Sequence, residues 1–334
     1  MSKVNKEEKS WILYDWANSA YSMTITSTIL PIYFKLVAEQ GGMSSATSTA
    51  LWGYTISIAT FIVAMIAPIL GNIADYKGNK KKLFNLFFFI GLIATVLLVF
   101  VPENNPIALL VIYTISTVGF CGANVFYDAF LVDVTTEDRM DYVSSMGYGM
   151  GYIGSTIPFI LCIVVVLLSQ SGLINMSLTL ACKITFLITA IWWGVFTIPL
   201  VKNVNQKYYV EKQSHIIKNS FKDLGSTLKN IKKDKAVLLF LIAYFFYIDG
   251  VHTIISMATS YGTDLGISKV SFLRLVIHGR AYENRDKLLL SDDDLLKVEK
   301  TLIKIKNENT YNIRIGVPLL GETEEYHCEA ANGK

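Results

Sequence analysis

The chain has 334 residues, 52% of them hydrophobic and only 17% charged, where a soluble domain carries about 25% charge. A mean hydropathy of +0.42 and a formal net charge of +3 exclude an ordinary soluble enzyme over most of the length. They also exclude a disordered chain and a nucleic-acid binder held by phosphate contacts.

The apolar residues gather in long blocks from Trp11 to about Gly266, and from about Lys269 to Lys334 the chain turns charged. A helix needs about 20 mostly apolar residues to cross roughly 30 Å of hydrocarbon. Seven blocks meet that need: Trp11–Val37, Ala50–Ile73, Leu83–Val101, Pro106–Asp133, Val143–Leu168, Met176–Val201 and Ala236–Thr259. Backbone inside a bilayer must bond to itself, so the blocks are predicted helices; the shorter alternating strands of a membrane barrel are not seen. The first block is too long and too often interrupted by polar residues for a cleaved signal peptide.

Basic residues set the orientation. Lys3, Lys6 and Lys9 precede the first block, Lys77, Lys80, Lys81 and Lys82 follow the second, Arg139 follows the fourth, and nine lysines lie from Lys202 to Lys235. The intervening loops, 38–49, 102–105 and 169–175, hold no Lys or Arg. The N-terminus, 1–10, is therefore expected in the cytoplasm, with the chain a multi-pass protein of the cell membrane and the bilayer as its solvent.

A bundle over 11–201 would be followed by a basic loop, 202–235, and a seventh helix, 236–259. Within the loop, Ile216, Ile217, Phe221, Leu224, Leu228 and Ile231 recur at helical spacing, which predicts an amphipathic helix on the inner membrane face. Six spans, a long basic loop and a further span is the layout of a transporter built from two six-helix halves.

Charges inside apolar spans are costly and usually paired or functional. Asp15 and Asp133 stand near span ends, where an interfacial and a functional placement are both open. Lys183 can reach the outer surface along its own apolar stem. Asp249 is too deep and too short for that. Asp128 and Asp249 are expected to line a central polar path and to bind a proton or a cationic group of a small solute. In the fifth span, Gly147, Gly151 and Gly154 recur at three- and four-residue spacing, which predicts close helix packing; Pro158 would bend that helix.

The loop after the second span reads GNIADYKGNKKK. Gly71, Asp75, Gly78, Lys80 and Lys81 fit G-x-x-x-D-x-x-G-x-[RK]-[RK], which resembles the loop signature of the major facilitator superfamily. WILYDWANSAYS in the first span, FYDAFLVDV in the fourth, GYGMGYIGS in the fifth and FFYIDG in the seventh are similar to the vacuole-effluxer-like family within it. The resemblance covers roughly Trp11–Gly266. It implies an all-α polytopic membrane fold, here the six-helix half plus the seventh helix, and a secondary transporter that exports amino acids or other small solutes by alternating access. It also implies that Asp75 and the following lysines gate the movement between helices, and that Asp15, Asn18 and Tyr21 face the path. The superfamily has two halves, so a chain resembling it only through the seventh span is expected to be truncated.

The tail, 269–334, is expected to be a small soluble α/β unit. SFLRLVIHG and YNIRIGVPLL read as strands, and the segment from Ser291 through Asp292, Asp293 and Asp294 reads as a helix start. RLVIHGRAYEN, IRIGVPLLG and HCEAANGK resemble a late segment of radical S-adenosylmethionine enzymes. That likeness implies a cluster-ligand position at Cys328. One thiolate cannot hold a cluster that takes three or four, and the C-x-x-x-C-x-x-C motif is absent, so no metal, cofactor or enzymatic activity is expected. Cys121, Cys162 and Cys182 sit in apolar runs as small buried thiols. The alternative reading is a fusion joined near Ser268, whose tail derives from that enzyme family.

Overall fold

A computed structural model describes residues 4–211, 225–226 and 229–264. The chain divides into two compact units, Met1–Asp264 and Leu265–Lys334; every described residue belongs to the first. The expected α/β tail, Cys328 and most of the expected amphipathic helix in the 202–235 loop lie outside the described residues.

The first run opens at Asn5, whose side chain accepts from Glu8 N at 2.8 Å while the Glu8 carboxylate accepts from Asn5 N at 2.8 Å. This reciprocal cap satisfies two donors at the start of α1, Lys6–Ala20. The helix then widens into a π-helical stretch, Tyr21–Ile29, and tightens again as α2, Leu30–Gln40. The expected helix over Trp11–Val37 thus lies within one unbroken helical run, Lys6–Gln40, whose middle is π-helical. Two features of the sequence account for it. Thr24, Ile25, Thr26, Thr28 and Ile29 crowd successive turns with β-branched side chains, and Pro31 has no N–H to give to the carbonyl of Ser27.

The helix α3 spans Ser45–Ala74 and is capped by Ser44, whose hydroxyl accepts from Thr47 N at 3.2 Å. Gly78, at φ +74°, turns the chain into α4, Asn79–Leu97, a conformation that glycine adopts without steric cost. Asn105 caps α5, Pro106–Ala129. The expected continuation to Asp133 breaks at Phe130, and a short turn, α6, Leu131–Val134, follows. The helices α7, Met140–Gln170, and α8, Leu178–Asn203, complete the bundle, and α9, Lys235–Asp264, comes after the basic loop.

Among the described residues, six helices are long and apolar enough to cross a membrane: Ser45–Ala74, Asn79–Phe100, Pro106–Ala129, Glu137–Gln170, Leu178–Asn203 and Lys235–Gly262. The α-helical parts of the first run, on either side of its π-helical stretch, are each too short to count by that measure. The result is an all-α, multi-pass architecture. Its outer faces carry exposed Phe61, Met65, Phe89, Ile93 and Val164, a distribution suited to hydrocarbon rather than water.

The run from α1 to α2 packs against α7 and α8, and α4 packs along α5. Glycines set the two closest approaches. A Cβ at Gly119 of α5 would lie 2.2 Å from the backbone nitrogen of Gly91 of α4. On α7, a Cβ at Gly147 would lie 2.8 Å from Trp11, one at Gly151 2.7 Å from the Ser19 hydroxyl, and one at Gly154 2.5 Å from Trp16. Trp52, Trp193, Tyr14, Tyr21 and Phe126 fill the interior between the helices.

Candidate functional site

Two polar constellations stand out within the apolar bundle. The first lies between α1, α5 and α7. Asn124 of α5 accepts with one amide oxygen from Asn18 Nδ2 at 3.0 Å and from the Tyr14 hydroxyl at 3.3 Å. Beside this node stand Asp15, one turn before Asn18, and Asp128, one turn after Asn124. The two carboxylates lie within electrostatic reach of each other. Tyr148 of α7 is within reach of both, and of Tyr244 of α9. Asp15 is partly exposed, and Asp128 and Tyr148 are exposed. This face therefore offers two acidic groups, the Asn124 amide and the Tyr148 phenol at least partly open, with Asn18 and Tyr14 buried behind them, a set able to bind a cationic or hydrogen-bonding solute.

The structure treats the other expected path residues differently. Tyr21 is 0% exposed, stacked on Phe120 and bonded to Ser116 Oγ at 2.9 Å. It packs in the core of the described bundle, on the same helix face as Tyr14, Ala17 and Asn18. Asp249 lies on α9 and is exposed; among the described residues no bond joins it to Asp15 or Asp128. Lys183, in the sixth predicted span, stands 3.8 Å from Glu103 of the loop before α5.

The second constellation lies at the lysine-rich end, around the loop between α3 and α4. Gly71 sits in the last turn of α3, where its carbonyl accepts from Asp75 N at 3.2 Å. The ammonium of Lys80 meets Asp133, not Asp75: Lys80 Nζ is 2.7 Å from Asp133 Oδ2 and donates to Ala129 O at 3.0 Å. Asp133 is 1% exposed. Its other oxygen accepts from the backbone N–H of Lys207 at 2.7 Å and of Tyr208 at 3.0 Å. Asp133 is thus a buried, paired carboxylate at the lysine-rich end of the bundle. Lys81 donates to Asn205 Oδ1 at 2.9 Å. Burial raises the Asp75 carboxyl above its ordinary value, with Lys80 acting against that shift and Asp133 adding to it.

The partner of the loop is the segment that follows α8. Val210 N donates to Asp75 O at 2.8 Å and Lys77 N to Val210 O at 3.1 Å, a short parallel bridge of backbone. Gln206 spans the turn: its amide oxygen accepts from Gly78 N at 2.9 Å and its Nε2 donates to Ala74 O at 2.9 Å. Residues 204–211 thus form a strap across the loop. Lys207 ties the strap to Glu7 of α1. Nearby, Arg139 meets Glu8 with two nitrogens at 2.9 Å each, and Thr135 donates to the same carboxylate at 2.8 Å. The Arg139 guanidinium holds the Glu8 carboxyl down at about 2 from 4.5, against the opposing effect of burial.

Sequence reasoning missed Asn124, Tyr148, Gln206 and Lys35. Lys35, inside the first predicted span, is 3% exposed and donates to Ser260 O of α9 at 3.1 Å. A lysine two residues inside the predicted end of an apolar block was a readable signal. Gln206 carried none, because its role depends on a pairing across more than a hundred residues. Among the described residues, no three His, Cys, Asp or Glu side chains are grouped so as to hold a metal ion.

Comparison with known proteins fits these features. Residues 44–280 match the family described as vacuole effluxer Atg22 like, and the match runs past the composition break at Ser268. The chain is 57% identical over 273 residues to an uncharacterised MFS-type transporter, YxiO, of Bacillus subtilis (strain 168), covering 82% of this chain and 64% of that protein. It is 23% identical over 299 residues to autophagy-related protein 22-2 of Penicillium rubens, covering 64% of this chain and 49% of that one. It is likewise 23% identical over 370 aligned positions to autophagy-related protein 22-1 of Emericella nidulans, covering 77% and 62%. The chain therefore spans between 49% and 64% of the length of these curated relatives. With a family match over most of its length and helices that suit a bilayer, the chain belongs to the vacuole effluxer Atg22-like family of multi-pass membrane proteins.

Proposed function

We propose that the protein is a secondary active transporter that moves amino acids or other small solutes out of the cytoplasm by alternating access. The lysine-rich end faces the cytoplasm, as the distribution of basic loops requires, and the run from α1 to α2 crosses the cell membrane as a further span. The single observation that carries this reading is the polar face of α1, α5 and α7. Two carboxylates, Asp15 in the apolar second half of α1 and Asp128 near the end of the apolar helix α5, stand in mutual electrostatic reach. Charge placed so is expensive inside a membrane and is kept where an ion or substrate passes.

In this reading Asp15 and Asp128 take up a proton or a cationic solute group, and Asn18, Asn124 and Tyr148 orient the solute by hydrogen bonds. Asp249 joins them from α9 when the bundle closes. The loop of Gly71, Asp75, Gly78, Lys80 and Lys81, held through Asp133 and the strap, is the inner gate.

The test is flux into liposomes that contain the full chain, with a labelled amino-acid mixture and an imposed pH gradient. Asp128→Asn and Asp15→Asn are each expected to abolish gradient-driven flux while protein yield stays unchanged. Undiminished flux in both variants refutes the assignment.

One observation favours a second reading. The charged composition that begins near Lys269 is unlike the rest of the chain, as in a fusion whose tail derives from a radical S-adenosylmethionine enzyme. The family match to residue 280 weighs against it. Sequencing the transcript across codons 255–280 decides: an uninterrupted frame keeps the tail, and a broken one removes it.

A further inference from the structure

Among the described residues, the hydrogen bonds that join α9 to the other helices gather towards its C-terminal end. Near its C-terminal end, Trp52 Nε1 of α3 donates to Ser256 O at 3.1 Å, Thr49 Oγ1 lies 3.4 Å from Ser260 Oγ, and Lys35 Nζ of α2 donates to Ser260 O at 3.1 Å. The Thr259 hydroxyl donates to Ser27 O, the carbonyl that Pro31 cannot serve. Met257 lies against Gly53. Towards its other end, Leu239, Phe240, Phe245, Phe246 and Tyr247 are all exposed. Among the described residues, the same helix is therefore clamped beside the loop 41–44 and exposed towards the lysine-rich end.

Lys35 is the unexpected member of this clamp. Tryptophan, threonine and methionine are ordinary packing residues, but a buried ammonium in an apolar helix is not. One of its partners is the backbone carbonyl of Ser260, whose partial negative charge suits an ammonium. Such a bond is strong while α9 is docked and is replaced by water as soon as α9 swings away. It makes a contact with two settings rather than a permanent staple.

We propose that Lys35 is the latch of an outer gate: its bond to Ser260 holds α9 against α2 and α3 and closes the polar face of α1, α5 and α7 to the side of loop 41–44. Release of that bond opens the face outward. The proposal rests on the transporter reading above and adds to it the residue that keeps the outer side shut.

The experiment uses the full chain in cell-derived vesicles, with Cys121, Cys162, Cys182 and Cys328 replaced by alanine and Tyr148→Cys as the reporter. A membrane-impermeant maleimide is applied from each side in turn. With Lys35 present, labelling from the loop 41–44 side is expected to be slow. Lys35→Met is expected to speed it at least tenfold and to slow labelling from the lysine-rich side. Lys35→Arg, which keeps a donor, is expected to stay within twofold of the parent. Labelling that is unchanged in Lys35→Met, or faster from both sides as in a chain that has lost its fold, overturns the proposal.

A second variant keeps Lys35 and joins Thr49→Cys to Ser260→Cys by a disulfide. It is expected to hold the reporter closed to the loop 41–44 side, and rapid labelling from that side overturns the proposal independently. Failure of the transporter reading is distinguishable: liposomes then show no flux although the reporter still changes sides with Lys35.

Discussion

Lys80 and Asp133 meet at 2.7 Å with side chains that are 5% and 0% exposed. A buried pair of this kind is costly to break from one side, because the remaining charge keeps its desolvation penalty and loses its partner. Lys80→Met and Asp133→Asn are each expected to lower stability by about 3–5 kcal/mol. The double variant Lys80→Met with Asp133→Leu is expected to recover part of the loss. Thermal unfolding of the detergent-solubilised chain, followed by tryptophan fluorescence, checks both.

The Glu8–Arg139 pair predicts an acid limb. The carboxyl is held near 2 in the folded chain against 4.5 when unperturbed. A depressed carboxyl contributes stability that is complete above the unfolded value and is lost as pH falls towards the folded one. Stability is therefore expected to decline by about 3 kcal/mol between roughly pH 5 and pH 2 from this group. Glu8→Gln is expected to be less stable at neutral pH and to flatten that part of the profile. An identical pH profile in the variant refutes the attribution.

Gln206 predicts a local effect rather than a global one. Its side chain supplies the only acceptor that the described residues give to Gly78 N, at 2.9 Å, and also ties Ala74 O. Gln206→Ala is expected to speed amide exchange over residues 75–80 by an order of magnitude, in line with about 1–1.5 kcal/mol for a lost hydrogen bond. Exchange in α5 should be unchanged. Hydrogen–deuterium exchange with peptide resolution reads both regions in one experiment.

Gly119 predicts a packing limit. A methyl group there would meet the backbone of Gly91 at 2.2 Å, and backbone cannot turn aside as a flexible side chain can. Gly119→Ala is expected to cost about 1–3 kcal/mol by forcing α4 and α5 apart. Gly149 of α7 has nothing within 4 Å of its would-be Cβ, so Gly149→Ala is the matched control and should not lose stability. Parallel melts of the two variants separate crowding from a general intolerance of alanine.

These relationships differ in how far the amino-acid sequence disclosed them. The helices that follow the first run were legible because a bilayer imposes length and apolarity on each one separately, without reference to its neighbours. The loop of Gly71, Asp75, Gly78, Lys80 and Lys81 was legible as a motif, yet the partner of Lys80 was not. Asp75 is nearer in sequence, but the fold gives the ammonium to Asp133, which the ends of α4 and α5 bring alongside. The π-helical stretch that begins at Tyr21 was not legible, because it shifts the faces of the residues after it without leaving a change in hydropathy. Asn124 was passed over because it is neutral, and attention within membrane spans goes to charge.

The π-helical stretch of the first run has a consequence for the making of the protein. Pro31 leaves the Ser27 carbonyl without its usual donor, and the hydroxyl that the structure supplies comes from Thr259, 232 residues later. During synthesis the early helix enters the bilayer before α9 exists, so the contact between Ser27 and Thr259 forms only when α9 arrives. Insertion is thus not finished when the first bundle has crossed. The opening segment remains an incomplete surface, wetted or held by the insertion machinery, until a helix from the far side of the basic loop arrives to seal it.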